Sequence, residues 1–232
     1  MSLVIPGTTP LVSPILSRDT VLADLGYYFV AVSPTPGTGI ANTVTIETTL
    51  AQAEVSPYLS VFNGNVASLV PVNIYPLYLR LTCTAAQAVG TVMRFTMELD
   101  QGNRITTSPA AAGILTINNV NMGSNNKSAA QIQAGTGIVA SAATVNKRIT
   151  GNQSFRNGGV INVVGDVYQF NFGSTEQVDP MSLVETGTAI CNITYSFAPV
   201  VIGPGQTWLV MQWVTGQTTA PAFEIELGYI EK

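Results

Sequence analysis

The 232-residue chain contains no histidine. Without an imidazole there is no Ser-His-Asp or Cys-His nucleophile and no His-based zinc, copper or non-haem iron centre. Charge is scarce as well: 9% of residues are charged, against roughly 25% in an ordinary soluble protein. The basic residues are scattered (Arg18, Arg80, Arg94, Arg104, Lys127, Lys147, Arg148, Arg156, Lys232) and the net charge is −4. A phosphate-tracking surface needs a clustered positive field, so direct nucleic-acid binding is not expected, and the Lys147-Arg148 pair reads as a solvated loop. The only cysteines, Cys83 and Cys191, stand in strand-like runs as small apolar fillers. Their spacing is not that of a disulfide scaffold or a zinc cluster. No apolar run reaches the roughly 18 residues of a membrane span. The first residues carry no basic region and are cut by Pro6, Pro10 and Pro14, so they do not read as a signal peptide. No phosphate-binding G-x-x-x-x-G-K-[ST] occurs, and the paired glycines at 37/39, 135/137 and 203/205 precede no helix with an acidic ribose ligand.

What is present is apolar and turn-rich: 46% of residues are hydrophobic, with 21 Gly and 13 Pro. Such a chain is neither disordered nor coiled coil, and a surface so poor in Lys and Glu is weakly defended against self-association. That composition favours a subunit of a larger assembly. Residues 1–17 read as an extended arm, because the prolines forbid a helix while Leu3, Val4, Ile5, Leu11, Val12, Ile15 and Leu16 still seek burial on the subunit itself or on a neighbour. One short helix is expected from Ser17 as N-cap to Leu25, with Val21, Leu22 and Leu25 on one face.

Strand-like runs then follow at 27–32, 43–50, 58–62, 77–83, 92–99, 114–117, 160–164, 167–172 and 189–197, separated by turn formers such as Pro34-Thr35-Pro36-Gly37, Asn63-Gly64 and Gly165-Asp166. The closing stretch 198–231 adds two more. Its middle run, 207–214, is apolar almost throughout and is expected to be buried on both faces. In the last run Phe223, Ile225, Leu227 and Tyr229 alternate with Glu224 and Glu226, which predicts one buried and one wet face. The expectation is an all-β fold: one domain over 18–232, an antiparallel β-sandwich of jelly-roll type, preceded by the arm. Residues 118–159, rich in Asn, Ala, Ser and Gly, read as a long loop excursion with an interfacial role.

The catalytic option left by these absences is a pair of carboxylates. Glu98 with Asp100, and Glu224 with Glu226, each lie two apart on a strand and so share a face. A sugar cleft also needs aromatic platforms, whereas Trp208 and Trp213, five apart, point to opposite faces. The acids read as the polar side of half-exposed strands, and the chain as a non-enzyme. Asp166, Glu176, Asp179 and Glu185 lack the spacing of a calcium loop. No cofactor and no metal is expected. The N-x-S/T triplets at Asn126, Asn152 and Asn192 read as coincidental.

The proline-broken arm, the segments MELDQGNRITTS and NNVNMGSNNKSAAQIQAGTG, and the closing VVIGPGQTWLVMQWVTGQTTAPAFEIELGYIE together resemble uncharacterised proteins encoded among the structural genes of tailed bacteriophages. The resemblance runs from about Leu77 onward. It implies a virion protein similar to head decoration, or cement, proteins: a homotrimer made in the host cytoplasm and placed on the capsid surface. Its partners would be itself and the major capsid protein, with the arm as anchor. A tail or fibre receptor-binding module that takes glycan is the alternative.

Overall fold

Short runs rich in β-branched and aromatic residues, punctuated by Gly, Pro and Asn, favour strands over helices along nearly the whole chain. A computed structural model describes residues 17–42, 55–66, 70–86, 92–156, 162–173, 192–214 and 220–232. The elements in it are α1 (Arg18–Asp24), β1 (Tyr28–Val32), β2 (Ile40–Ala41), β3 (Leu59–Asn63), β4 (Ile74–Ala85), β5 (Val92–Asp100), β6 (Ile105–Thr107), β7 (Thr116–Asn119), β8 (Ala130–Ala134), β9 (Val139–Ala140), β10 (Arg148–Arg156), β11 (Val167–Phe172), β12 (Asn192–Phe197), β13 (Thr207–Val214) and β14 (Ala222–Glu231). Among the described residues no helix is long and apolar enough to cross a membrane.

The strands form two packed sheets. The larger has the order β12-β11-β4-β14-β1-β7, with β2 beside β14; the smaller has the order β10-β5-β13-β3-β8, and β6 and β9 make a separate ribbon. The two closing strands lie inside these sheets, β14 between β4 and β1 and β13 between β5 and β3. Their sequences explain the placement. On β13, Trp208 and Val210 enter the core between the sheets, while Leu209 and Met211 pack on the other side against Ala140 and Ile105. On β14, Phe223, Ile225, Leu227 and Tyr229 are buried and alternate with half-exposed Glu224 and Glu226.

Aromatic rings join the two sheets. Phe95 of β5 meets Phe170 of β11 edge-on at 5.1 Å, Trp208 meets Phe172 edge-on at 5.2 Å, and Tyr58 meets Phe223 at 6.0 Å. Pairs of this geometry add about 0.5–1.5 kcal/mol beyond the area they bury, so the inter-sheet stack sets how the two layers face each other.

Several expectations are corrected. The sandwich is not wholly antiparallel: β12 runs parallel to β11 from Val167↔Asn192 to Phe172↔Phe197, which makes the larger sheet mixed. In α1, Ser17 caps the helix as expected, its hydroxyl accepting from the Thr20 N–H. Only Leu22 of the expected face is buried, with Val21 41% and Leu25 55% exposed. Residues 162–166 form a turn closed by Gly165 at φ 98° rather than the end of a strand. The departure from the sandwich at 118–159 is partial, since β8 and β10 rejoin the smaller sheet. The expected strand at 43–50, the arm and Cys191 lie outside the described residues.

Candidate functional site

The carboxylate pair Glu98 and Asp100 lies on the outer face of the smaller sheet, because the intervening residues Met97 and Leu99 pack toward the core. This acid pair is not a half-exposed polar face. Residues 101–104 and 141–147, on either side of the stretch that supplies β7 and β8, close over it, and both side chains have 0% exposure. The Arg104 guanidinium, itself buried, pairs with Glu98 and lies 3.3 Å from Asp100, and also donates to the Ser141 carbonyl. Lys147 approaches Glu98 at 4.0 Å, so it is a half-buried cap rather than a free loop residue. Burial alone would raise the Asp100 carboxyl. Hydrogen bonds from the Thr144 hydroxyl and N–H and the Gln101 N–H, with the Arg104 charge, outweigh burial and hold it below its ordinary value of 3.8. The cluster is a clamp that holds residues 104 and 141–147 to the sheet.

The second pair, Glu224 and Glu226, faces outward from the larger sheet. Glu224 accepts from the Gly37 N–H at 3.1 Å and so pins the Pro34–Gly37 turn. Glu226 pairs with Arg80 and accepts from the Tyr78 hydroxyl at 2.6 Å. Opposite Tyr78 stands Gly228, where a Cβ would fall 2.2 Å from the tyrosine ring. The ring therefore lies across the glycine, and Tyr78, Glu226 and Arg80 satisfy one another.

Cys83 is buried, accepts from the Asn162 amide at 3.0 Å, and its thiol is pushed up to about 11 by burial and then by the Asp166 charge. It is inert filler, as its strand position implied. Asp166 accepts from the Val163 N–H and the Tyr168 hydroxyl, and so closes its own turn. Glu176, Asp179, Glu185 and all seven arm residues, Leu3, Val4, Ile5, Leu11, Val12, Ile15 and Leu16, lie outside the described residues. Among the described residues no group of three or more Cys, Asp and Glu is placed to hold a metal.

A concavity that sequence reasoning missed lies beside α1. It measures about 760 Å³ and is walled by Arg18 and Asp19 of α1, Tyr75, Pro76 and Leu77 of β4, Phe172 at the end of β11, and Pro199, Val200, Ile230 and Lys232. Pro76 is the local cause of its shape. Proline donates nothing to a ladder, and the pairing of β4 with β14 slips between Gly228↔Tyr78 and Tyr229↔Pro76, leaving Leu77 as the extra residue of a bulge. The bulge brings Pro76 and Leu77 together in the cleft wall. The signal available in the sequence was Pro76 inside an otherwise strand-like run.

At the same end of the sandwich, Glu231 is buried. Its carboxylate accepts from the Ser128 hydroxyl and the Ala129 N–H, tying residues 128–130 to the end of β14. Burial outweighs those bonds and raises the carboxyl above its ordinary 4.5. Compared with known proteins, the chain matches no family model, no curated protein and no solved structure.

Proposed function

We propose that the protein is a structural subunit of a tailed-phage particle, a head decoration protein built on a jelly roll that binds the assembled shell as a homotrimer and stabilises it. The observation that carries this reading is the strand pairing. Setting aside the edge additions β7, β8 and β12, the two-residue β2 and the separate β6–β9 ribbon, eight strands remain: β1, β3, β4, β5, β10, β11, β13 and β14. They pair first with last, second with seventh, third with sixth and fourth with fifth, as β1·β14, β3·β13, β4·β11 and β5·β10, all antiparallel. A single antiparallel ribbon rolled into two layers would produce this set, which supports reading the sandwich as a jelly roll of the kind met in capsid and lectin domains.

Two further features support a role in an assembly without chemistry. The acid pair closest to a catalytic arrangement is buried beneath residues 104 and 141–147 and paired with Arg104. The chain's low charge, and an arm with no Asp, Glu, Lys or Arg in residues 1–17, suit contacts that are dry and apolar. Each of the seven apolar arm side chains is worth about 1.5–3 kcal/mol if fully buried, and three tethered arms reinforce one another through effective concentration. Attachment through an uncharged arm persists in salt that screens ion pairs.

The test is to mix the full-length protein with tailless, undecorated heads of the phage that encodes it, at low and at high salt, and count the copies that co-sediment. Many copies per head at both salt levels are expected. Few copies, confined to the tail tip of whole particles, would replace this reading with receptor binding.

A further inference from the structure

We propose that the outer face of the larger sheet binds an uncharged polysaccharide, with the Tyr78 ring as the platform on which a sugar stacks and the polar side chains around it as the groups that meet its hydroxyls. This goes beyond the decoration reading, which gives that face no partner.

The face is set by register. Pairing lines up Val30, Gly228, Tyr78 and Asn171 in one row across β1, β14, β4 and β11, and Glu226, Arg80 and Gln169 in the next row across β14, β4 and β11. The residues between the rows, Leu227, Leu79 and Phe170, are buried in the core, so both rows face away from it. Tyr78 is fixed at two points. Its ring lies across Gly228, the closest ring atom 2.2 Å from where a Cβ would stand, and its hydroxyl donates to Glu226 at 2.6 Å. Part of its surface stays in solvent. A ring held in this way loses little entropy on contact, and its electron-rich face attracts the C–H face of a sugar.

The polar groups match the rim of a sugar ring. Gln169 donates its amide to Asn171 Oδ1 at 2.9 Å. Among the described residues this leaves an acceptor, Gln169 Oε1, and a donor, Asn171 Nδ2, uncommitted side by side, and adjacent sugar hydroxyls both donate and accept. Charge complementarity points to an uncharged partner. Arg80, 44% exposed, and Glu226, 27% exposed, neutralise each other, and Glu224, the next acid along β14, accepts from the Gly37 N–H. A nucleic acid needs uncompensated cations, and a protein interface has a dry apolar centre. Here the apolar surface beside Tyr78 is a half-buried strip, Tyr28, Val30 and Val32 of β1.

The test is calorimetric titration of the full-length protein with dextran, amylose, galactomannan and laminarin, at low and at high salt. At least one of these uncharged polysaccharides is expected to bind, with the same affinity at both salt levels. Binding should weaken about fivefold or more in Tyr78→Ala, and likewise in Gln169→Ala, which leaves the ring and its anchors in place. It should stay unchanged in Val145→Ala, a position 98% exposed on the segment over the smaller sheet. Binding to none of the four, or binding equal in the parent and both face variants, overturns the proposal. Binding lost at high salt marks an ionic contact and also overturns it. So does a protein mass that grows with concentration and falls back in Tyr78→Ala, which would make a second copy the occupant of the face. None of these readouts needs a phage head, so failure here leaves the decoration reading standing, and copies counted on heads test that reading alone.

Discussion

Arg104 is the residue whose loss should be felt most. It is buried against two carboxylates that also have no access to solvent, and removing one member of such a cluster strands the others. Arg104→Ala is expected to cost about 3–5 kcal/mol of unfolding free energy, read by urea titration. Replacing Glu98 and Asp100 together with Gln and Asn in that background should recover part of the loss. The two shifted carboxyls act in opposite senses on stability with pH. Asp100 is held low in the folded chain, so its contribution is complete above the unfolded value of about 3.9 and is lost as pH falls through the lower folded value. Glu231 is held high. The folded chain then binds the extra proton, and stability declines as pH rises from about 4.3, the unfolded value, to the raised folded value. The acid slope of stability should therefore be shallower in Asp100→Asn, and the decline contributed by Glu231 should be absent in Glu231→Gln. A Glu231→Gln profile identical to that of the parent would remove Glu231 as the cause.

Among the elements, β14 carries the most specific fit. Gly228→Ala would drive a Cβ into the Tyr78 ring, displacing it from Glu226 at an overpacking cost of about 1–3 kcal/mol. If the ring is the cause, Tyr78→Ala should make Gly228→Ala nearly neutral, and a double-mutant cycle on thermal unfolding checks the coupling. The sequence made β13 and β14 legible because their patterns report burial directly: apolar throughout where both faces are covered, alternating where one is. It did not reveal β8 and β10. AQIQA and RITGNQSFR are short on large apolar residues because both strands lie at the edges of the smaller sheet, where fewer neighbours demand them. The parallel pairing of β12 was equally hidden, since strand direction is set by a long connection and not by side-chain period. At the candidate site both acid pairs were visible in the sequence, but the burial of Glu98 and Asp100 was not. Covering Glu98 and Asp100 depends on Arg104 and on residues 141–147 returning over the sheet some forty positions later, and no local pattern announces that.

For the whole molecule, the pairing of early strands with late ones puts the two closing apolar strands, β13 and β14, in the middle of each layer. The smaller sheet is covered on its outer side by Ala140 and Ile105 over Leu209 and Met211. In the account proposed above, the sandwich is a rigid platform and the arm is the part that reaches the shell. The most direct measurement is the temperature at which undecorated heads release their DNA, recorded with and without saturating full-length protein. The account predicts that the release temperature rises as copies bind and that the rise persists at high salt; heads that release DNA at the same temperature with the protein bound or absent would contradict it.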